Sequence, residues 1–198
     1  MKATIHPIAC VEQFHLLFLD QLARILQARG LTITRCSAPK QTETTQRWKL
    51  ELAARGVALP LYTRIEVSRR GISEPLAFEP VDGAMIREYQ LTPVLATHYP
   101  AEAAFRQKIH ALIHRRQTQA RDVFDLDHLL RSGVSVKGMS LPTGLRDAQQ
   151  HAMAVSFDVF KSQVLSFLAP EYRARYDDSG MWDDIVLRVV EALKGDAS

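Results

Sequence analysis

The spacing of apolar residues changes along the chain, and this change constrains the fold more than any other feature. In the stretch RWKLELAA, Trp48, Leu50 and Leu52 alternate with polar residues, and LYTRIEVSRR alternates in the same way from Leu61 onward. Such alternation predicts strands that bury one face. From Ala101 onward, apolar residues recur three and four positions apart, which predicts helices. We therefore expect an α+β fold.

The first half of the chain is expected to form a small mixed or antiparallel sheet with a flanking helix. Apolar spacing predicts a helix over residues 11–28, which Gly30 ends. The segment ARGVALP between the two alternating stretches is short and holds a glycine and a proline, so these strands should pair antiparallel. Further extended pieces are expected near LTITRC and PVLATHY, and a loop rich in glycine and proline over residues 71–83.

The second half is expected to be a helical bundle, which gives two domains, residues 1–99 and residues 100–198. Two helices with separate apolar stripes come first. A loop, VSVKGMSLPTG, then leads to one long helix and a last helix. The apolar residues predicted to face inward on the long helix are Ala152, Val155, Phe157, Phe160, Val164 and Leu168, and those on the last helix are Trp182, Ile185, Val186, Val189 and Leu193.

Composition places the chain among globular proteins. It has 198 residues, of which 46% are apolar and 24% charged, and its net charge of +3 is too small to predict nucleic-acid binding by itself. No apolar stretch approaches the length of about 18 residues that spans a membrane. Cys10 and Cys36 form neither a metal-binding spacing nor a disulfide framework. We expect a cytoplasmic protein.

The stretch FRQKIHALIHRRQTQARDVFDLDHLL carries most of the candidate chemistry. Lys108 comes three residues after Phe105, so it borders the apolar stripe, where a lysine either lies at an ordinary boundary or holds its ammonium at a phosphate-binding cleft. In RDVFD, Arg121, Asp122 and Asp125 can share one side of a helix. They form either a solvated ion pair or the lining of a nucleotide pocket.

Glu66 is unusual because glutamate is disfavoured in the middle of strands. On its own face it is flanked by Arg64 and Ser68. A carboxylate that faces a metal would explain it, and so would a cross-strand ion pair. His110 and His114 have the four-residue spacing of a helical metal pair, but no glutamate accompanies them in the HExxH manner, so we do not expect a metal there.

The order of these pieces resembles a known family. A strand with IEV is followed by a helix with KIHAL and RR, and then by RDVFDL. This order is similar to that of the AbiEii/AbiGii-type nucleotidyltransferase toxins of bacterial abortive-infection and toxin–antitoxin systems. The resemblance extends loosely over residues 11–195, and RDVFDL after a lysine helix is its most specific part.

The resemblance implies a fold related to DNA polymerase β and transfer of a nucleoside monophosphate from an NTP to an RNA, such as tRNA, or to a protein. It implies Mg²⁺, held by carboxylates, and phosphate contacts from lysine and arginine. Glu66 then corresponds to a catalytic, metal-binding acid, Lys108 to the triphosphate lysine and Asp122 to the acid of the late motif. The implied nucleotide-binding residues are Arg64, Arg116, Arg121 and Asp125.

One part of the family pattern is not found. The family has a Gly-Ser or Gly-Gly turn followed by Asp-x-Asp, and no such motif precedes Glu66. Asp125 and Asp127 have the spacing but lie in a predicted helix, where residues two apart point to different sides. We therefore expect residues 1–99 to form an incomplete nucleotidyltransferase-like lobe, and the chain to be truncated or degenerate and weakly active alone.

Two further expectations follow from this departure. The missing acids would come from a complementing N-terminal portion or a separate protein, and a cognate antitoxin is a further partner implied by the resemblance. The alternative is a non-catalytic module that keeps the fold and binds a nucleic acid or a protein. Its candidate contacts are Arg64, Arg69, Arg70, Arg115 and Arg116.

Overall fold

A computed structural model describes residues 9–38, 40–68 and 74–194, with side chains from residue 17 onward. Backbone contacts divide the chain into two units, residues 1–72 and residues 73–198. The predicted division after residue 99 stays a prediction. The first unit contains α1 (Ala9–Gln27), β1 (Leu31–Cys36), β2 (Lys40–Gln41), β3 (Thr45–Ala54) and β4 (Leu61–Ser68). The second contains β5 (Ala77–Pro80), α2 (Gly83–Glu88), β6 (Leu95–His98), α3 (Ala101–His114), α4 (Ala120–Arg131), α5 (Leu145–Met153), α6 (Phe157–Gln163), a 3₁₀ turn (Leu165–Phe167), α7 (Pro170–Tyr176) and α8 (Ser179–Ala192).

The sheet of the first unit is antiparallel and built around β3, which pairs with β1, β2 and β4. The predicted alternation on β3 is confirmed, because Trp48, Leu50 and Leu52 are all buried. Trp48 lies opposite Ile65 of β4, so the apolar residues of both strands share a face. Helix α1 contributes Phe18, whose ring centroid lies 5.4 Å from that of Trp48. The α+β fold class is therefore confirmed.

The second unit begins with a β-hairpin, of which only the second strand was predicted from the sequence. The extended piece near PVLATHY is β6, but its partner β5 lies inside residues 71–83, which were predicted to be a loop. That prediction was wrong over residues 77–80, because β5 is defined by its pairing with β6 and is too short to show a period. Between the strands, the Asp82 carboxylate accepts hydrogen bonds from the backbone N–H groups of Ala84 and Met85 and starts α2.

The helices of the second unit enclose one apolar core. Phe105, Ile109, Leu126 and Trp182 are among its fully or almost fully buried members. The single long helix predicted after the loop was wrong, since it is divided into α5 and α6. Ser156 separates them: its hydroxyl accepts a hydrogen bond from the N–H of Val159 and caps α6.

Trp182 fixes this break from the other side of the core. Its indole Nε1 donates a 2.9 Å hydrogen bond to the backbone carbonyl of Val155, between the two helices. The bond satisfies a buried carbonyl that a continuous helix would have used internally. Among the helices that the structure describes, none is both long and apolar enough to cross a membrane.

Candidate functional site

The candidate site in the second unit is built where α3 meets α4. Phe105, Ile109 and Leu112 on α3 and Val123 and Leu126 on α4 are fully buried and hold the two helices together. This packing leaves the polar residues beside the apolar stripes close to one another. One of them, Asp122, lies in the first turn of α4, where a carboxylate also interacts favourably with the helix dipole.

Four side chains at this junction form what we call the α3–α4 charge cluster: Lys108, Arg115, Asp122 and Asp125. Lys108 Nζ lies 3.1 Å from Asp122 Oδ1 and 2.5 Å from Asp125 Oδ2. Arg115 Nε lies 2.8 Å from Asp122 Oδ2. Its N–H is not aligned for a hydrogen bond, so this contact is an ion pair only. Two of the predicted catalytic residues, Lys108 and Asp122, are therefore in contact.

Burial makes Asp122 the fixed member of the cluster. Its side chain is 0% exposed, whereas those of Lys108, Arg115 and Asp125 are 29%, 40% and 44% exposed. A carboxylate removed from water needs charged or hydrogen-bonding partners, and here two cations supply them. The two cations can in turn reach solvent beside the exposed carboxylate of Asp125, so the outward face of the cluster carries both signs of charge over the buried Asp122.

The predicted arginines behave differently from one another. The resemblance implied Arg116 as a nucleotide-binding residue and Arg115 was named only for the alternative binding module, whereas the structure pairs Arg115 with Asp122 and leaves Arg116 exposed. Arg121 is also exposed, and within the described residues it forms no ion pair with Asp125. Asp125 instead binds Lys108 of the neighbouring helix. Arg115 was missed as a cluster member because its contact depends on the extended backbone at the end of α3.

Glu66 belongs to the first unit and is described there by itself. Its Oε1 atom lies 2.5 Å from Arg47 Nε on β3 and 3.5 Å from Arg64 Nε on its own strand. Arg47 and Glu66 are direct cross-strand partners. Of the two explanations that the sequence left open, the cross-strand ion pair is present. A role for Glu66 as metal ligand, and in one site with Lys108, stays a prediction.

The described carboxylates do not fit a Mg²⁺ site. Among the described residues, no three His, Cys, Asp or Glu side chains come together as a possible ligand group. Mg²⁺ requires several oxygen ligands in near-octahedral geometry, and each Asp122 oxygen already faces a cation. The rings of His110 and His114 stack with centroids 5.8 Å apart. Because both Asp122 oxygens face cations, the α3–α4 charge cluster offers an approaching ligand the remaining N–H donors of Lys108 and Arg115 and not a set of free carboxylate oxygens.

Asp125 and Asp127 point to different sides of α4, as predicted from their two-residue spacing. Asp125 contacts Lys108, whereas Asp127 is 2% exposed and accepts a 2.7 Å hydrogen bond from Arg188 Nε on α8. That hydrogen bond raises the pKa of Arg188. The literal Asp-x-Asp in the sequence is thus divided between two contacts and is not a metal-binding pair.

Comparison with known proteins decides the family. The family described as "Nucleotidyl transferase AbiEii toxin, Type IV TA system" matches residues 10–185. The chain belongs to the AbiEii toxin family. This membership agrees with the resemblance seen in the order of IEV, KIHAL and RDVFDL, and it makes the chain a nucleotidyltransferase-type toxin protein.

Comparison with solved structures concerns the fold of the chain. A candidate nucleotidyltransferase from H. pylori is 16% identical over 87% of this chain and 73% of its own, with a TM-score of 0.51. JHP933 from Helicobacter pylori is 16% identical over 83% of this chain and 67% of its own, with a TM-score of 0.47. The first of these supports a nucleotidyltransferase-like fold for this AbiEii family member. No curated protein matches its sequence.

Proposed function

We propose that this AbiEii family chain takes part in the transfer of a nucleoside monophosphate from an NTP to a hydroxyl group of an RNA or a protein. The observation that carries the proposal is the contact of Lys108 and Arg115 with the buried Asp122. Lys108 and Arg115 come from the stretch matched to the lysine helix of the family, and Asp122 comes from the RDVFDL motif that follows it. Their contact gives two cations a fixed spacing at a half-exposed position.

The cluster leaves binding capacity for a phosphate. A lysine ammonium has three N–H donors, and Lys108 directs two of them to Asp122 and Asp125. The third can meet a triphosphate oxygen, and the guanidinium of Arg115 has further donors that Asp122 does not use. Arg116 is exposed in the connection between α3 and α4, and Arg121 is exposed on α4, so both can add positive charge around the triphosphate.

In the proposed reaction, an acceptor oxygen forms a bond to the α-phosphorus of the NTP and the bond from that phosphorus to the bridging oxygen breaks. Pyrophosphate leaves with its negative charge, and the proton of the acceptor hydroxyl passes to a base or to water. Lys108 and Arg115 would stabilise the charge that develops on the phosphate oxygens, which is the main contribution of protein groups to this chemistry. Asp122 would act as the positioning residue that holds both cations.

The metal-binding acids are proposed to come from elsewhere. The family chemistry requires divalent cations, for which we propose Mg²⁺, and the described carboxylates do not fit that ion. We propose that the chain is weakly active alone and is completed by an extended N-terminal portion or by a separate protein. Glu66 and Arg64 are proposed to join the site in that completed form.

A cognate antitoxin is the partner that a type IV system implies, and we propose a cytoplasmic location.

The test is transfer of label from α-labelled NTPs to cellular RNA and protein. The chain is assayed alone, with neighbouring gene products, and as a form extended by upstream coding sequence. Lys108→Ala should lower transfer by about a hundredfold, the usual effect of removing one group that stabilises transition-state charge. The matched control is Lys137→Ala, which removes an exposed lysine from a loop of the same unit.

The proposal fails if the completed forms transfer nothing with any NTP, or if Lys108→Ala and Lys137→Ala have equal effects. Circular dichroism of both variants separates a lost reaction from a lost fold. Because Lys108 also compensates the buried charge of Asp122, its replacement by alanine should lower stability, and the Tm of the variant is measured beside its activity.

A non-catalytic binding module is a second candidate, favoured by the polar face of the sheet. The register of β3 and β4 places Arg47, Lys49 and Arg64 on one face with Glu66, which pairs with both arginines, and Arg64 stays 66% exposed. Such a face could bind a nucleic acid through phosphates, and its affinity would then fall steeply with salt. Arg69 and Arg70, also expected to contribute, lie outside the described residues. Strong RNA binding without NTP-dependent transfer would favour the module.

A further inference from the structure

A cavity on a different side of α4 has a chemistry of its own. Its volume is about 320 Å³. It is lined by Phe124, Asp127, His128, Arg131, Ser132, Tyr172 and Tyr176. The lining residues of α4 are spaced at i, i+3, i+4 and i+7 from Phe124, so they form one face of the helix. Asp122 and Asp125, which contact Lys108, are not among them.

Three aromatic rings form the walls of this cavity. Phe124 and Tyr176 meet edge to face with ring centroids 5.4 Å apart, which fixes both rings. Tyr172, one helical turn before Tyr176 on α7, is 54% exposed. An exposed ring beside two fixed rings offers a flat ligand a surface for stacking, which is the usual way in which proteins hold nucleic-acid bases without sequence preference.

The polar side of the cavity is cationic. Asp127 is the only carboxylate among its lining residues, and its charge is neutralised by the 2.7 Å contact with Arg188. Arg131 Nη1 lies 3.9 Å from the second Asp127 oxygen and donates a 3.3 Å hydrogen bond to the hydroxyl of Tyr176. A guanidinium has five N–H donors, so Arg131, which is 40% exposed, keeps donors for a ligand. His128 adds an exposed imidazole.

We propose that this cavity binds one nucleotide unit, with the base against Tyr172 and the phosphate at Arg131. The walls suit a flat ring, the free donors suit an anion, and the two features lie in one cavity. Ligand pockets measure about 300–1,000 Å³, so this volume suits a single nucleotide and not a longer segment. The nucleotide can be a free monophosphate or one unit of an RNA. The site is separate from the α3–α4 charge cluster and does not depend on the transfer proposed there.

Equilibrium dialysis of the full chain with labelled AMP, UMP and oligoadenylate tests the proposal. Tyr172→Ala should weaken AMP binding about tenfold, because stacking of one base on an aromatic ring has that order of effect. Tyr172→Phe keeps the ring and should bind like the wild type. Arg131→Gln should also weaken binding, whereas Arg146→Gln, an exposed arginine on α5 with the same change in charge, should not.

Other outcomes decide the source of the ligand or overturn the proposal. Equal affinities for AMP and oligoadenylate support a free nucleotide, and much tighter binding of oligoadenylate supports an RNA. If AMP does not bind the wild type at millimolar concentration, or if Tyr172→Ala binds like Tyr172→Phe, the proposal is wrong. If Lys108→Ala abolishes AMP binding while Tyr172→Ala retains it, the nucleotide occupies the α3–α4 charge cluster and the cavity is not its site.

Discussion

Lys108 Nζ lies 3.1 Å from the Oδ1 atom of Asp122, a carboxylate with no exposed surface on the neighbouring helix. The contact joins the two motifs by which the family is recognised in this sequence. It also means that each residue has a structural role beside its proposed chemical one, because the buried charge of Asp122 must be compensated whether or not an NTP is present. Activity and stability therefore have to be measured separately at these positions.

Asp122→Asn should destabilise the second unit. Loss of one member of a fully buried ion pair costs about 3–5 kcal/mol, but Lys108 and Arg115 can rehydrate, so we expect a loss of about 1–3 kcal/mol in the free energy of unfolding. Urea denaturation measures it. Asp125→Asn is the control: its 44% exposed side chain makes an ordinary surface ion pair, and the expected loss is under about 1 kcal/mol. Equal losses in the two variants would contradict the assignment of Asp122 as the fixed member.

Asp125→Asn has a second expected effect, on nucleotide affinity. The substitution removes one of the two carboxylates that bind the Lys108 ammonium. A triphosphate then no longer competes with the Asp125 carboxylate for Lys108. NTP binding should tighten by up to about fivefold, the equivalent of an exposed ion pair. Titration calorimetry with a non-hydrolysable NTP measures this, with Asp158→Asn as control because Asp158 pairs with a different lysine, Lys161. Weaker binding in Asp125→Asn would instead mean that Asp125 contacts the nucleotide.

The pH dependence of stability should include a contribution from Glu74. The hydrogen bond from Arg106 to this carboxylate lowers the pKa of Glu74. A lowered folded-state pKa contributes stability that is present above the unfolded value of about 4.3 and is lost as pH falls through the folded pKa. Glu74→Gln should therefore lower the Tm at pH 6, and the difference from the wild type should shrink below pH 4. Glu88→Gln, an exposed change at the end of α2, should show little of this difference.

Ser156→Ala tests the break between α5 and α6. Its hydroxyl caps α6 by accepting a hydrogen bond from the N–H of Val159, and loss of such a cap costs about 1 kcal/mol. Thermal unfolding followed by circular dichroism gives the difference. Ser140→Ala, at an exposed loop position of the same unit, should be neutral. If the two variants unfold alike, Ser156 is not the cause of the break.

The strands and helices that could be predicted from the sequence are those that show a local apolar period. The buried face of β3 was predictable because Trp48, Leu50 and Leu52 alternate along one strand. The division into α5 and α6 was not, because Val155, Phe157 and Phe160 continue an apolar helical pattern across the cap. Strand β5 was missed because it is defined only by its partner β6, in which Thr97 pairs with Phe78 from nineteen residues further along the chain.

The candidate site shows the same limit. Lys108 and Asp122 were assigned to one site by the resemblance to the family, and the structure brings them into contact. The choice between Arg115 and Arg116 depends on a backbone dihedral at the end of α3, where the chain leaves the helix at ψ 136°. Spacing along the sequence carries no information about that angle.

Helix α4 presents Asp125 to Lys108 and, two residues later, Asp127 to Arg188. Each added or deleted residue turns the rest of a helix by about 100°, so a single insertion between them would take one acid away from its cation. Relatives that keep both contacts should therefore vary in length before Ala120 or after Arg131 and almost never within the helix. For the same reason, a tag, a linker or the new termini of a circular permutation should not be placed between Asp125 and Asp127 of α4.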